Sequence, residues 1–213
     1  MGGGMALWIK ICGITNVEDA LHAIASGADA IGLNFVESSK RRIDIATGAA
    51  IRSAVGERAE VVAVAADRNA AELRELREST GIEWLQLHGN EDPEVLRAVL
   101  PHAYKAVRIA TASDVNDART VAGERLLVDA KVSGELGGTG HTFDWILVRE
   151  LAGVRQVVVA GGLTPDNVAE AVRVVGPFGV DVASGVEASD PRKKDPDRVL
   201  AFVRAARRAQ KGP

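Results

Sequence analysis

The chain is short of the residues that build disulfides, metal clusters and redox centres: its 213 residues include one cysteine, four histidines and two methionines. A single cysteine excludes an internal disulfide and any multi-cysteine metal site, and it suits a reducing cytosolic compartment. Aromatics make up only 4% of the residues. No run approaches the roughly 18 apolar residues of a membrane-spanning helix, and no basic segment followed by a hydrophobic one opens the chain. Charge of one sign is lacking too. With 26 basic and 29 acidic residues the net charge is −3 and no long block of either sign occurs, which argues against a nucleic-acid or membrane-surface partner. An anionic ligand would have to be met by local groups.

What is present is core material. Hydrophobic residues make up 46% of the chain, so it can bury a large interior, and its length suits a single α/β barrel. The leading "MGGG" before Met5 reads as an alternative start or an appended segment. Residues 1–5 are therefore set apart as an extension expected to be disordered, and 6–213 are taken as one domain.

From Met5 onward, short β-branched runs alternate with segments of helical period, the pattern of βα units around a parallel sheet. The strand candidates are 7–12, 30–35, 60–66, 84–88, 104–109, 125–130, 156–161 and 179–184. Between them lie helix-start signals: Asn16 before "VEDALHAIASG", Asp92-Pro93, and Thr164-Pro165. Even spacing without a linker predicts a single-domain (β/α)8 TIM barrel. The competing doubly wound sheet would normally carry a glycine fingerprint at the first βα turn, and "CGITN" is not one.

In such a barrel, ligand chemistry belongs at the C-terminal ends of the strands. Those ends read Cys12-Gly13, Asn34-Phe35, Asp67, His88-Gly89, Arg108, Asp129, Gly161-Gly162 and Ser184-Gly185, so polarity is gathered at one rim. Three late loops, "GELGGTGHT", "VAGGLT" and "ASGVE", are glycine-rich. Glycine lets backbone N–H groups approach an anion, and two such loops after strands seven and eight fit the recurrent barrel phosphate site. A buried cysteine ordinarily behaves as a small hydrophobe, so Cys12 acquires a chemical reading only from this rim.

The motifs "KICGIT", "LQLHG", "LLVDAK", "GGTGHTFDW", "VAGGLTPDNV" and "GVDVASGVE", in this order and spacing, closely resemble the phosphoribosylanthranilate isomerase family of tryptophan biosynthesis. The likeness runs from Ile9 to about Phe202. It implies a cofactor-free, metal-free Amadori rearrangement of a phosphosugar, with Cys12 as general base and Asp129 as general acid. It further implies that Arg41 binds the anthranilate carboxylate, that Gly138, Gly140, Gly161, Gly162, Ser184 and Gly185 hold the phosphate, and that His88 stands at the rim. Without the resemblance, Asp129 also fits a loop-capping carboxylate, Arg41 a solvated charge, and His88 a satisfied rim histidine. Departures from the family pattern fall at Ala65, Asp67, Arg42 and His141, where an enlarged or recharged mouth is expected. Two rival readings share these features: a related sugar-isomerase barrel that also takes the histidine-pathway substrate, and a silent phosphosugar-binding barrel. Monomer and homodimer are equally compatible with the sequence.

The implied acid and base are an inverted choice. With ordinary pKa values of about 8.5 and 3.9, thiolate plus protonated carboxyl is disfavoured by about 4.6 units, roughly 6 kcal/mol. Burial of Asp129 and a cation near Cys12 would narrow that gap. Lys10 shares the strand face of Cys12, and barrel closure would bring Asp181 beside it. A Lys10–Asp181 pair under the site is expected, either tuning the thiol or simply filling the barrel.

Overall fold

In the computed structural model, which describes residues 6–129 and 145–210, eight parallel strands close into a barrel in sequence order. They are β1 (Trp8–Ile14), β2 (Ala30–Asn34), β3 (Glu60–Ala65), β4 (Trp84–Leu87), β5 (Ala103–Arg108), β6 (Arg125–Asp129), β7 (Gln156–Ala160) and β8 (Gly179–Val182). The helices α1 (Val17–Ala25), α2 (Ile45–Val55), α3 (Ala70–Thr80), α4 (Pro93–Val99), α5 (Ala112–Thr120), α6 (Trp145–Ala152), α7 (Val168–Val175) and α8 (Pro196–Gln210) follow them in turn. This is the TIM barrel that the alternating pattern predicts. Residues 1–5, and Gly138, Gly140 and His141, lie outside the described residues.

Alternation along each strand divides the core in two. Outward-facing Ile9, Ile11, Leu33, Ala63, Leu87, Val159 and Val182 join the helices in the larger cluster, while Trp8, Ala30, Val62, Tyr104, Leu127 and Val158 fill the inside. The interior is unusually polar for a barrel whose layers are ordinarily aliphatic. Lys10, Gln86, Tyr104 and Asp181 are all buried there. Below them the Arg125 guanidinium lies 4.6 Å from the Trp8 ring and 4.2 Å from the Trp84 ring, and Arg125 donates to Glu60 at 2.6 Å.

The sequence signals hold where they rest on local chemistry. The Asn16 side chain accepts from the Asp19 amide as the cap of α1, and Asp92 caps α4 with Pro93 in its first turn. At Thr164-Pro165 the helix starts later than the signal predicts. Residues 164–167 form a turn instead, because Asn167 accepts from the Thr164 amide at 2.8 Å and donates to the Gly162 carbonyl at 3.1 Å. β1 and β8 also differ at their ends. β1 continues to Ile14 through a register slip between Cys12 and Ile14, centred on Gly13 with φ +75°. β8 stops at Val182, and a 3-10 turn at Ser184–Val186 replaces its predicted last residues.

Candidate active site

β1 carries the lower part of the site. Trp8, Lys10 and Cys12 alternate inward, and β2 supplies Gly32 opposite Cys12. A Cβ at Gly32 would lie 2.7 Å from Cys12 Sγ and 2.8 Å from Lys10 Cε, so this glycine makes room for both side chains. Lys10 is fully buried and pairs with Asp181 at 3.2 Å, the partner that closure of β8 on β1 predicts. Burial works against its ammonium, but Asp181, then Cys12 and Tyr104, more than offset it and hold Lys10 charged above its ordinary range. Burial pushes the Cys12 thiol up, Lys10 pulls it down as the largest opposing influence, and Asp181 adds to the rise. The cation thus acts with the expected sign without overcoming burial.

Across the opening, Asp129 ends β6, and its Oδ2 lies 3.9 Å from His88 Nε2, beyond hydrogen-bond range. Partial desolvation keeps His88 below its ordinary pKa, against the pull of Asp129. On the β2 side, Arg41 donates through Nε to Glu187, a carboxylate also 3.7 Å from the buried Lys194 ammonium. Desolvation works against the Glu187 carboxylate, but Arg41 and Lys194 prevail and hold it below its ordinary pKa.

Cys12, Arg41, His88 and Asp129 border one cavity of about 510 Å³ at the C-terminal face, lined also by Gly161, Gly162 and Ser184. Gly161 and Gly162 have φ of +88° and +65°, two consecutive positive-φ positions that glycine adopts without strain. A Cβ at Gly185 would collide with the Leu163 carbonyl, and Gly185 lines an adjoining cleft with Gly162 and Ser184.

Residues 9–205 match the family described as N-(5'phosphoribosyl)anthranilate (PRA) isomerase. The chain belongs to the PRA isomerase family. It is therefore an isomerase of tryptophan biosynthesis. An N-(5'-phosphoribosyl)anthranilate isomerase of Neisseria meningitidis is 46% identical over 201 residues, covering 93% of this chain and 96% of the relative. One from Magnetococcus marinus is 43% identical over 208 residues, covering 98% and 99%. The crystal structure of the Thermotoga maritima PRA isomerase aligns with a TM-score of 0.85 at 38% identity, covering 94% of this chain and 98% of that one. Another solved PRA isomerase, at TM-score 0.83, 35% identity and the same coverages, is a complex with reduced 1-(o-carboxyphenylamino)-1-deoxyribulose 5-phosphate.

Within this PRA isomerase framework the departures from the family pattern separate. Ala65 is fully buried in the layer between barrel and helices, so strand alternation removes it from the mouth; Ala66 borders the cavity instead. Asp67, at φ +55°, accepts from the Asn90 amide at 2.6 Å and lines a second cleft of about 620 Å³ with Arg108. Arg42 pairs with Glu37 at 3.1 Å on the surface. The structure also adds residues that the sequence analysis does not single out. Gln86 lies two positions before His88 on β4 and so faces the same side, a signal available in "WLQLH". Glu187 and Lys194 sit in loop sequence whose charges look solvated, and only the fold buries them.

Proposed function

We propose that the chain converts N-(5-phosphoribosyl)anthranilate to 1-(2-carboxyphenylamino)-1-deoxyribulose 5-phosphate with Cys12 as general base and Asp129 as general acid. What supports the reading most is the single cavity where Cys12 and Asp129 face a common space between Arg41 and the β7 and β8 loops. Asp129 protonates the furanose ring oxygen, the C1–O bond breaks, and the nitrogen lone pair forms a Schiff base. The Cys12 thiolate takes the C2 proton, and the electron pair moves toward nitrogen to give an enolamine. Loss of the O2 proton and protonation of C1 yield the ketone.

Phosphate is held by backbone N–H groups of Gly138, Gly140, Gly161, Gly162, Ser184 and Gly185. Arg41 receives the anthranilate carboxylate through its terminal nitrogens, since Glu187 already takes its Nε. The reaction needs no cofactor or metal. It takes place in the cytoplasm, in a monomer or homodimer; a T. maritima relative is described as dimeric, with monomers generated from it.

The test follows the fluorescence lost as phosphoribosylanthranilate is consumed by wild type, Cys12→Ser and Asp129→Asn. The wild type turns over, and each variant loses about 10²- to 10⁴-fold in kcat, the usual contribution of a positioned acid or base, while still binding product. A folded wild type silent on this substrate but active on the histidine-pathway substrate would reassign the reaction. Variants with unchanged kcat would remove the two residues from their roles.

A further inference from the structure

The buried polar layer beneath the site forms a directional chain from β8 and β1 to the cavity. Lys10 Nζ donates to Asp181 and, at 2.5 Å, to Gln86 Oε1. Tyr104, fully buried on β5, donates its hydroxyl to the same Gln86 oxygen at 3.1 Å. An ammonium has no lone pair to offer, so the Gln86 amide has one allowed orientation, with oxygen toward Lys10 and NH2 away from it. That NH2 lies 2.8 Å from His88 Nδ1. An amide NH2 cannot accept a proton, so Nδ1 must accept, and the imidazole proton must sit on Nε2. Nε2 is the atom that faces Asp129.

We propose that Gln86, locked by Lys10 and Tyr104, is a positioning residue that holds His88 as the neutral Nε2–H tautomer, turning an uncharged N–H, 3.9 Å away, toward Asp129. Protonating Nδ1 would set two donors against each other, and Gln86 could not flip without abandoning Lys10. Neutrality matters because Asp129 must carry a proton to act as an acid. An imidazolium at that distance would stabilise its carboxylate and empty the acid form. The charged groups around His88 divide accordingly: Lys10 on β1 and Lys105 on β5 oppose its protonation, while Asp129 on β6 and Asp181 on β8 favour it. Lys105 is itself held by Glu91 at 2.8 Å. The tautomer depends only on the hydrogen-bond chain. Its catalytic value rests on the roles given above to Asp129 and Cys12.

The test is 15N NMR of protein labelled at histidine, with the His88 signals assigned by their loss in His88→Asn. In the wild type near neutral pH, Nε2 carries the proton and Nδ1 is bare. Gln86→Glu supplies an acceptor to Nδ1, so the imidazolium persists to higher pH and the acid-side fall of kcat moves up by about one pH unit, the scale expected of an adjacent carboxylate. Gln86→Met removes the bias and mixes the tautomers without adding charge, which keeps the proposal testable should the buried glutamate disturb folding. A wild-type proton on Nδ1, an imidazolium at neutral pH, or a His88 spectrum indifferent to both variants would overturn it. If the tautomer is as stated while phosphoribosylanthranilate is not turned over, the chain stands and the assigned reaction falls.

Discussion

Cys12 sits between opposing influences: burial and Asp181 favour its thiol, and Lys10 favours its thiolate. Removing Lys10 therefore moves the thiol further from reactivity. In Lys10→Met, the pH at which iodoacetamide alkylates the chain's only cysteine should rise, and the fold should lose about 3–5 kcal/mol, because Asp181 is left charged, buried and unpaired. Lys10→Met/Asp181→Asn should recover much of that stability and leave the thiol between wild type and the single variant. An alkylation profile unmoved in Lys10→Met would leave the ion pair as barrel filling alone. The same pair shows what residue-level reading can reach. Lys10 and Cys12 share a face by strand alternation, and Asp181 is their neighbour only because the sheet closes.

At the scale of elements, β1 and β2 divide the work at their contact. β1 brings the large groups, and β2 leaves a gap at Gly32, which is paired in register with Cys12. Gly32→Ala would press a methyl on Cys12 Sγ and Lys10 Cε. Overpacking of this kind costs about 1–3 kcal/mol. The thiol should be displaced, so kcat falls with the barrel intact by circular dichroism and with inorganic phosphate bound as tightly as before, since the added methyl meets Cys12 and Lys10 and not the β7 or β8 loops. Full activity in Gly32→Ala would mean that the thiol can shift without consequence. The element ends were the least legible feature in sequence. β8 stops early because the chain turns at Ala183 into its 3-10 turn, and α7 starts late because Asn167 satisfies the preceding turn with its own side chain. Such side-chain competition for the backbone has no periodicity to read.

At the scale of the whole molecule, the barrel couples site chemistry to stability. His88 is held below its ordinary pKa in the folded protein, so under mildly acid conditions the unfolded chain binds a proton that the folded one refuses. Stability should fall as pH drops through about 6.5, the ordinary histidine value, and level off once the folded form is protonated too. The fall in Tm on moving from neutral pH into that range should be smaller in His88→Asn, by thermal unfolding, and equal slopes would remove His88 from the linkage. Alternation, caps and spacing were enough to determine the (β/α)8 order and the rim that holds Cys12, His88 and Asp129, because strand period and turn chemistry are local. The family resemblance, carried by ordered motifs, supplied the reaction and the expectation for Arg41. The Lys10–Asp181 pair was legible once closure was assumed; what only the tertiary structure decided is which other polar groups meet: Arg41 with Glu187, Lys194 beneath them, and the chain from Lys10 through Gln86 to His88. These contacts join residues from β1 and β4 and from the loops after β2, β4 and β8, far apart in sequence, and barrel closure sets their distances while burial sets their strength.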